Sequence, residues 1–113
     1  MSQGFVAQYA AEAALGVDGV AALDSSRITE IKESMGIEHV GKGVKVVFHD
    51  EKEGLVSITV YPVVYYGNMM PEVAWEIQER VKADVERYTG LLVEQVHVHI
   101  KGIVPPPQEK EQS

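Results

Sequence analysis

The sharpest chemical feature of this 113-residue sequence is a pair of imidazoles one residue apart, His97 and His99. Alternate residues of a strand share a face, so the pair could offer two nitrogens to one metal ion. His49 could join them from a neighbouring strand. No carboxylate or cysteine is fixed nearby in sequence to complete a tetrahedral site, and the chain contains no cysteine at all. The plainer reading is a solvated sheet face that carries a few histidines, so neither a metal nor a cofactor is expected.

The carboxylates Glu72, Glu76, Glu79, Asp84 and Glu86 could be acid–base groups. Catalytic pairs need environments that differ from one another. These lie among Arg80, Lys82 and Arg87 on one stretch, where Glu76 and Arg80 have the four-residue spacing of a helical ion pair. A wet, salt-bridged face fits better. Gly41-Lys42-Gly43 has the look of a phosphate loop, but such a loop opens a helix. A strand follows here. Ser25, Ser26, Ser34 and Ser57 stand in no nucleophile motif. No catalysis is expected.

Two apolar features remain. Trp75 lies away from the apolar stripe of its own helix, with Glu72, Glu79, Lys82 and Glu86 around it. It either packs on the N-terminal helix or the chain end, or it meets a partner, as exposed tryptophans at binding hot spots do. Tyr61, Val63 and Tyr65, with Val47, would load the outer face of a sheet. Either the Asp24–Gly43 segment or another molecule must cover them. The candidate protein interface is therefore Trp75, Glu79 and Lys82 on the helix, with Tyr61, Val63 and Tyr65 on the sheet.

The elements that must position these residues can be read from periodicity. Met70, Val73, Ala74, Ile77, Val81, Val85 and Tyr88 recur at three- and four-residue steps, which predicts a helix over Pro71 to Tyr88. Pro71 suits its first turn, Asn68 could cap it, and Gly90 suits its end. A shorter helix is expected from Phe5 to Leu15, stopped by Gly16. Val44 to Asp50 and Leu55 to Tyr65 alternate as strands and form a hairpin through Glu51-Lys52-Glu53-Gly54. Pro62 would lie beyond the end of the first of these strands, so it need break no ladder bond. A bulge there would flip the faces of Val63 to Tyr65. Leu92 to Ile103 is the last strand, with Val96, Val98 and Ile100 inward. Gly19 to Leu23 is a short strand or a snug crossing, and Ile28, Ile31 and Met35 could form a short helix. The expected fold is α+β: a small mixed sheet of three main strands, with a fourth short one left open, and helices on one face. Residues 1–103 form one domain and 104–113 a mobile, Pro-rich, acidic tail.

Composition narrows the partners. Apolar residues make up 45% and charged residues 24%, ordinary for a soluble domain. The net charge of −7 opposes phosphate backbones and anionic lipid. No apolar run approaches the ~20 residues of a membrane span. No signal peptide is evident.

From Gly41 to Ile103 the chain resembles the alkaline shock protein family of Gram-positive bacteria. The likeness rests on Gly43-Val44-Lys45-Val46, Tyr66-Gly67, Pro71-Glu72-Val73-Ala74 through Ile77-Gln78 and Val81-Lys82, Thr89-Gly90-Leu91, Val96-His97-Val98-His99 and Gly102. Gly19-Val20 fits as well. The resemblance implies a small cytoplasmic α+β protein without established catalysis, linked to stress tolerance and cell-envelope homeostasis. Some members are recruited to the membrane by an anchored partner. This chain begins close to its first helix, so an N-terminal extension and an anchor of its own are expected to be absent. The expectation is a non-enzymatic accessory or scaffold protein that contacts other proteins, self-associates, and reaches the membrane only through a partner. The alternatives are a nucleic-acid-associated regulator, disfavoured by charge and by the lack of a basic groove, and a metal protein using His97 and His99.

Overall fold

A computed structural model describes residues 3–26, 37–50 and 53–107. Helix α1 (Gln3–Leu15) is followed by β1 (Val20–Leu23), β2 (Ile37–Gly41), β3 (Val44–Asp50), β4 (Leu55–Val60) and β5 (Pro62–Tyr65). Then come α2 (Met70–Thr89), β6 (Leu92–Val98) and β7 (Gly102–Val104). The α+β class is as expected. The single small sheet is not: the strands form a three-stranded sheet ordered β1-β5-β7 and a four-stranded sheet ordered β2-β3-β4-β6. Gly19 to Leu23 resolves into β1 (Val20–Leu23), and β2 lies within the Asp24–Gly43 segment, where the sequence reading placed no strand. The short helix proposed for Ile28, Ile31 and Met35 falls outside the described residues.

The difference arises at two breaks. The expected Leu55–Tyr65 strand divides at Tyr61, and the expected last strand divides at His99 to Lys101. At Tyr61 the chain leaves β3. Its N–H donates to the Gly43 carbonyl (3.0 Å), while the Asp24 N–H donates to the Tyr61 carbonyl (2.9 Å). The second long segment turns alongside the first. The His99 N–H bonds the Val60 carbonyl and the Lys101 N–H bonds the Pro62 carbonyl, both at 2.8 Å. Parallel pairing therefore continues from β4·β6 into β5·β7 across the bend. Pro62 costs the β3–β4 ladder nothing, because it lies beyond the β3 partner of Val60 and pairs instead with Leu23 of β1. The faces do not flip: Val56, Ile58 and Val60 are buried before the break, and Pro62 and Val64 after it. Strand β7 takes in Val104, one residue into the expected tail.

The hairpin β2–β3 turns on Lys42 and Gly43, both at positive φ (57° and 78°). This is the pattern of the primed turns whose twist suits a hairpin. Gly41-Lys42-Gly43 is thus a hairpin turn and opens no helix. Glycine at 43 is needed twice, since a Cβ there would also collide with Leu23.

Helix α2 carries the core. Val73, Ile77, Val81 and Val85 are buried, and at ~1.5 Å per residue the helix is long enough to cross a small sheet. Pro71 lies in the first turn, and Gly90 closes the end in the left-handed conformation (φ 77°). Asn68 does not cap it. The cap position is Met69, and the Asn68 amide donates to the Tyr65 carbonyl (3.1 Å). Helix α1 contributes Val6 and a run of buried alanines, whose small side chains allow close approach to α2. Two side chains of α2 reach the outer edge of β6. Gln78 donates to the Val96 carbonyl (3.1 Å), and the Glu86 carboxylate accepts the Val93 N–H (2.9 Å). They occupy backbone groups that an edge strand would otherwise offer to another chain.

Candidate interaction surface

The outward side of α2 is where apolar surface and charge meet. Trp75 is 61% exposed. Pro71, Glu72, Trp75 and Glu76 line a shallow groove of about 400 Å³. Helical spacing places Glu79 and Lys82 on the same side, one and two turns onward. The indole makes no ring contact with any described side chain. At 61% exposure the side chain is not enclosed by α1 or any other described element, and the chain end lies outside the described residues.

The charges around the indole divide in two. Glu72, Glu76 and Glu79 are exposed and have no ion-pair partner among the described residues. Glu72 sits in the first turn, where a carboxylate favours the helix dipole. Glu76 and Glu79 have no such role. The expected Glu76–Arg80 pair is replaced by another contact. Arg80 turns towards the end of α1 and makes a long contact (3.5 Å) with the Gly16 carbonyl. Glu86, expected on the wet rim, is held by β6.

The sheet half of the expected interface is altered. Tyr61 is only 6% exposed, with its ring tilted against His99 at 5.7 Å. It belongs to the interior rather than to a surface. Val63 and Tyr65 are half-buried on β5, the centre of the three-stranded sheet, while Val47 lies on the four-stranded one. The switch between sheets at Tyr61 separates residues that one continuous strand would have kept together.

The histidines do not converge. His97 is in register with Thr59, His99 falls past the end of β6, and His49 lies on β3. His49 Nε2 is within 2.7 Å of Ser57 Oγ and 3.5 Å of Glu94 Oε1. A nucleophilic triad needs serine and carboxylate on opposite ring nitrogens, so this cluster lacks that arrangement. Among the described residues, no group of three or more potential metal ligands comes together.

A second exposed patch was not anticipated. Tyr66, Ile103, Val104, Pro105 and Pro106 line a groove of about 280 Å³, and Tyr66 is 72% exposed. The available signal was an aromatic residue directly before the turn glycine Gly67, together with the apolar Ile103-Val104 that leads into three prolines.

The fold defines the class: a small α+β domain in which the two helices among the described residues pack against a pair of mixed sheets. Within that class the chain belongs to the alkaline shock protein 23 family, whose model matches residues 1–105 and is described as having a cell envelope-related function. It is 37% identical over 91 residues to the uncharacterized protein YqhY of Bacillus subtilis, covering 80% of this chain and 65% of that protein. It is 29% identical over 105 residues to YloU of the same organism, covering 91% of this chain and 85% of that one. A Streptococcus pyogenes protein, Spy1535, is 31% identical over 88 residues, covering 78% of this chain and 64% of its own. The chain thus spans just under two thirds of YqhY and Spy1535. No solved structure matches. Among the described residues, no helix is long and apolar enough to cross a membrane.

Proposed function

We propose that this protein is a non-enzymatic accessory or scaffold protein that acts through contacts with other proteins in stress tolerance at the cell envelope. In this reading it works in the cytoplasm and reaches the membrane through a partner. The observation that carries the reading is Trp75, a large apolar side chain left open on a helix whose other face is fully used in the core. Moving such a side chain from water to a packed site is worth roughly 1.5–3 kcal/mol. A single exposed side chain is common, but this one sits in a groove with a polar rim, the anatomy of an interface centre. A second contact, with another copy of the chain, uses Val63 and Tyr65.

The test replaces Trp75 by Ala in the full chain and compares crosslinked partners in the native cell with those of the wild type. Loss of a specific partner with an unchanged melting temperature is the expected result. Retention of every wild-type association would end the reading.

A further inference from the structure

The Trp75 groove also specifies what would fill it. This inference rests on the reading of α2 as a partner-binding face and adds the chemistry that the partner presents there. The first two and a half turns of α2 expose three carboxylates, Glu72, Glu76 and Glu79, around one indole. Arg80, the next charged residue along the helix, is a cation and is drawn aside to the Gly16 carbonyl. Lys82 follows a further half-turn on. The groove's own lining therefore joins an apolar floor to carboxylates alone, Glu72 and Glu76, with Glu79 one turn onward and the cation Lys82 only beyond it.

We propose that it binds a cationic segment of another protein, with an Arg or Lys side chain laid on the Trp75 indole and neighbouring basic groups against Glu72, Glu76 and Glu79. Tryptophan has the strongest cation–π attraction of the aromatic side chains. Arginine suits the site best, because its planar, weakly hydrated guanidinium stacks on a ring and still offers donors to carboxylates. The same charges oppose the other occupants. A second copy of this chain arrives with a net charge of −7. The Pro105-Pro106-Pro107 segment would suit an aromatic groove by shape, but Glu109 and Glu111 follow it with only Lys110 between. Phosphate backbones and anionic lipid are repelled.

Trp75 is the only tryptophan of the chain, so its emission reports this site alone. The experiment titrates the full-length protein with a short, end-capped peptide alternating Arg and Ser, and with its citrulline counterpart, which keeps the shape but not the charge. The Arg peptide should shift the emission saturably and more weakly at high salt. The citrulline peptide should not. By calorimetry, E76Q/E79Q should weaken binding about fivefold and Trp75→Ala at least about tenfold. Removing the same charge elsewhere, in E12Q/E94Q, should change it little. An equal response to the citrulline peptide, equal weakening in both Gln variants, or an emission that follows the protein's own concentration would each overturn the proposal. The partner-binding reading fails separately. If Trp75→Ala loses its cellular partner while E76Q/E79Q keeps it and the Arg peptide does not compete, that reading stands and the cationic occupant is wrong.

Discussion

Helix α2 displays a large aromatic residue near each end, Trp75 at 61% exposure and Tyr88 at 54%, and the two have different roles. The Tyr88 ring stacks on Tyr9 of α1 (centroids 5.4 Å apart, planes 19°), and the Arg87 guanidinium lies over it at 5.7 Å. It is a partly solvated ring that nevertheless joins two helices. Among the described residues Trp75 has no such ring or cation neighbour. The acids differ in the same way: Glu86, near Tyr88, is bonded to β6, whereas Glu76 and Glu79, near Trp75, are bonded to nothing described. Exposure alone does not separate a structural aromatic from an available one; its contacts do.

That contrast can be broken by substitution. The largest effect should come from the buried side of the Trp75 end. Ile77 is fully buried, and Ile77→Ala should cost about 2–5 kcal/mol in denaturant unfolding. At the Tyr88 end, Glu86→Ala leaves the Val93 N–H without its acceptor and should cost about 1–3 kcal/mol, with faster amide exchange at Val93. Tyr88→Ala removes a stacked pair and should cost about 0.5–1.5 kcal/mol. Trp75→Ala should stay within about 0.5 kcal/mol of wild type while removing the partner. If Trp75→Ala proves as destabilising as Tyr88→Ala, the two ends are alike and the contrast fails. His97→Ala should be the quietest change, with nearly unchanged melting, and metal analysis of the wild type after dialysis should find less than stoichiometric zinc.

Tyr61→Ser, which a continuous strand would have made a probe of self-association, should instead destabilise the fold, because Tyr61 is interior. That reversal shows where periodicity stops being informative. Apolar alternation runs unbroken through Val56, Ile58, Val60, Pro62 and Val64, so nothing in its parity marks the bend at Tyr61. The break is set by a partner far away in sequence, the Gly43 carbonyl. Strand β2 was hidden for another reason: Glu38, His39 and Gly41 break any apolar alternation, and its strand character comes from pairing with β3. Tyr88 fits the helical stripe by spacing but lies where the core runs out. Gln78 and Glu86 read as ordinary helix surface, since their bonds are to a strand not yet placed. By contrast, the hairpin β3–β4 and the stop of α2 were legible because each is decided locally, by turn residues and a left-handed glycine. Trp75 was legible because it departs from a local rule.

The two bent segments that run side by side also set the timing of synthesis. Strands β4 and β5 leave the ribosome well before their parallel neighbours β6 and β7, which come only after α2. Between Tyr65 and Leu92 the nascent chain holds a bare edge on each sheet for roughly 1–5 s, at ~5–20 residues per second. Only α2 is made in that interval, so Gln78 and Glu86 are synthesised before the strand they bond. A chain cut short before Gly102 would therefore be released with an unfinished three-stranded sheet, a ready substrate for proteolysis.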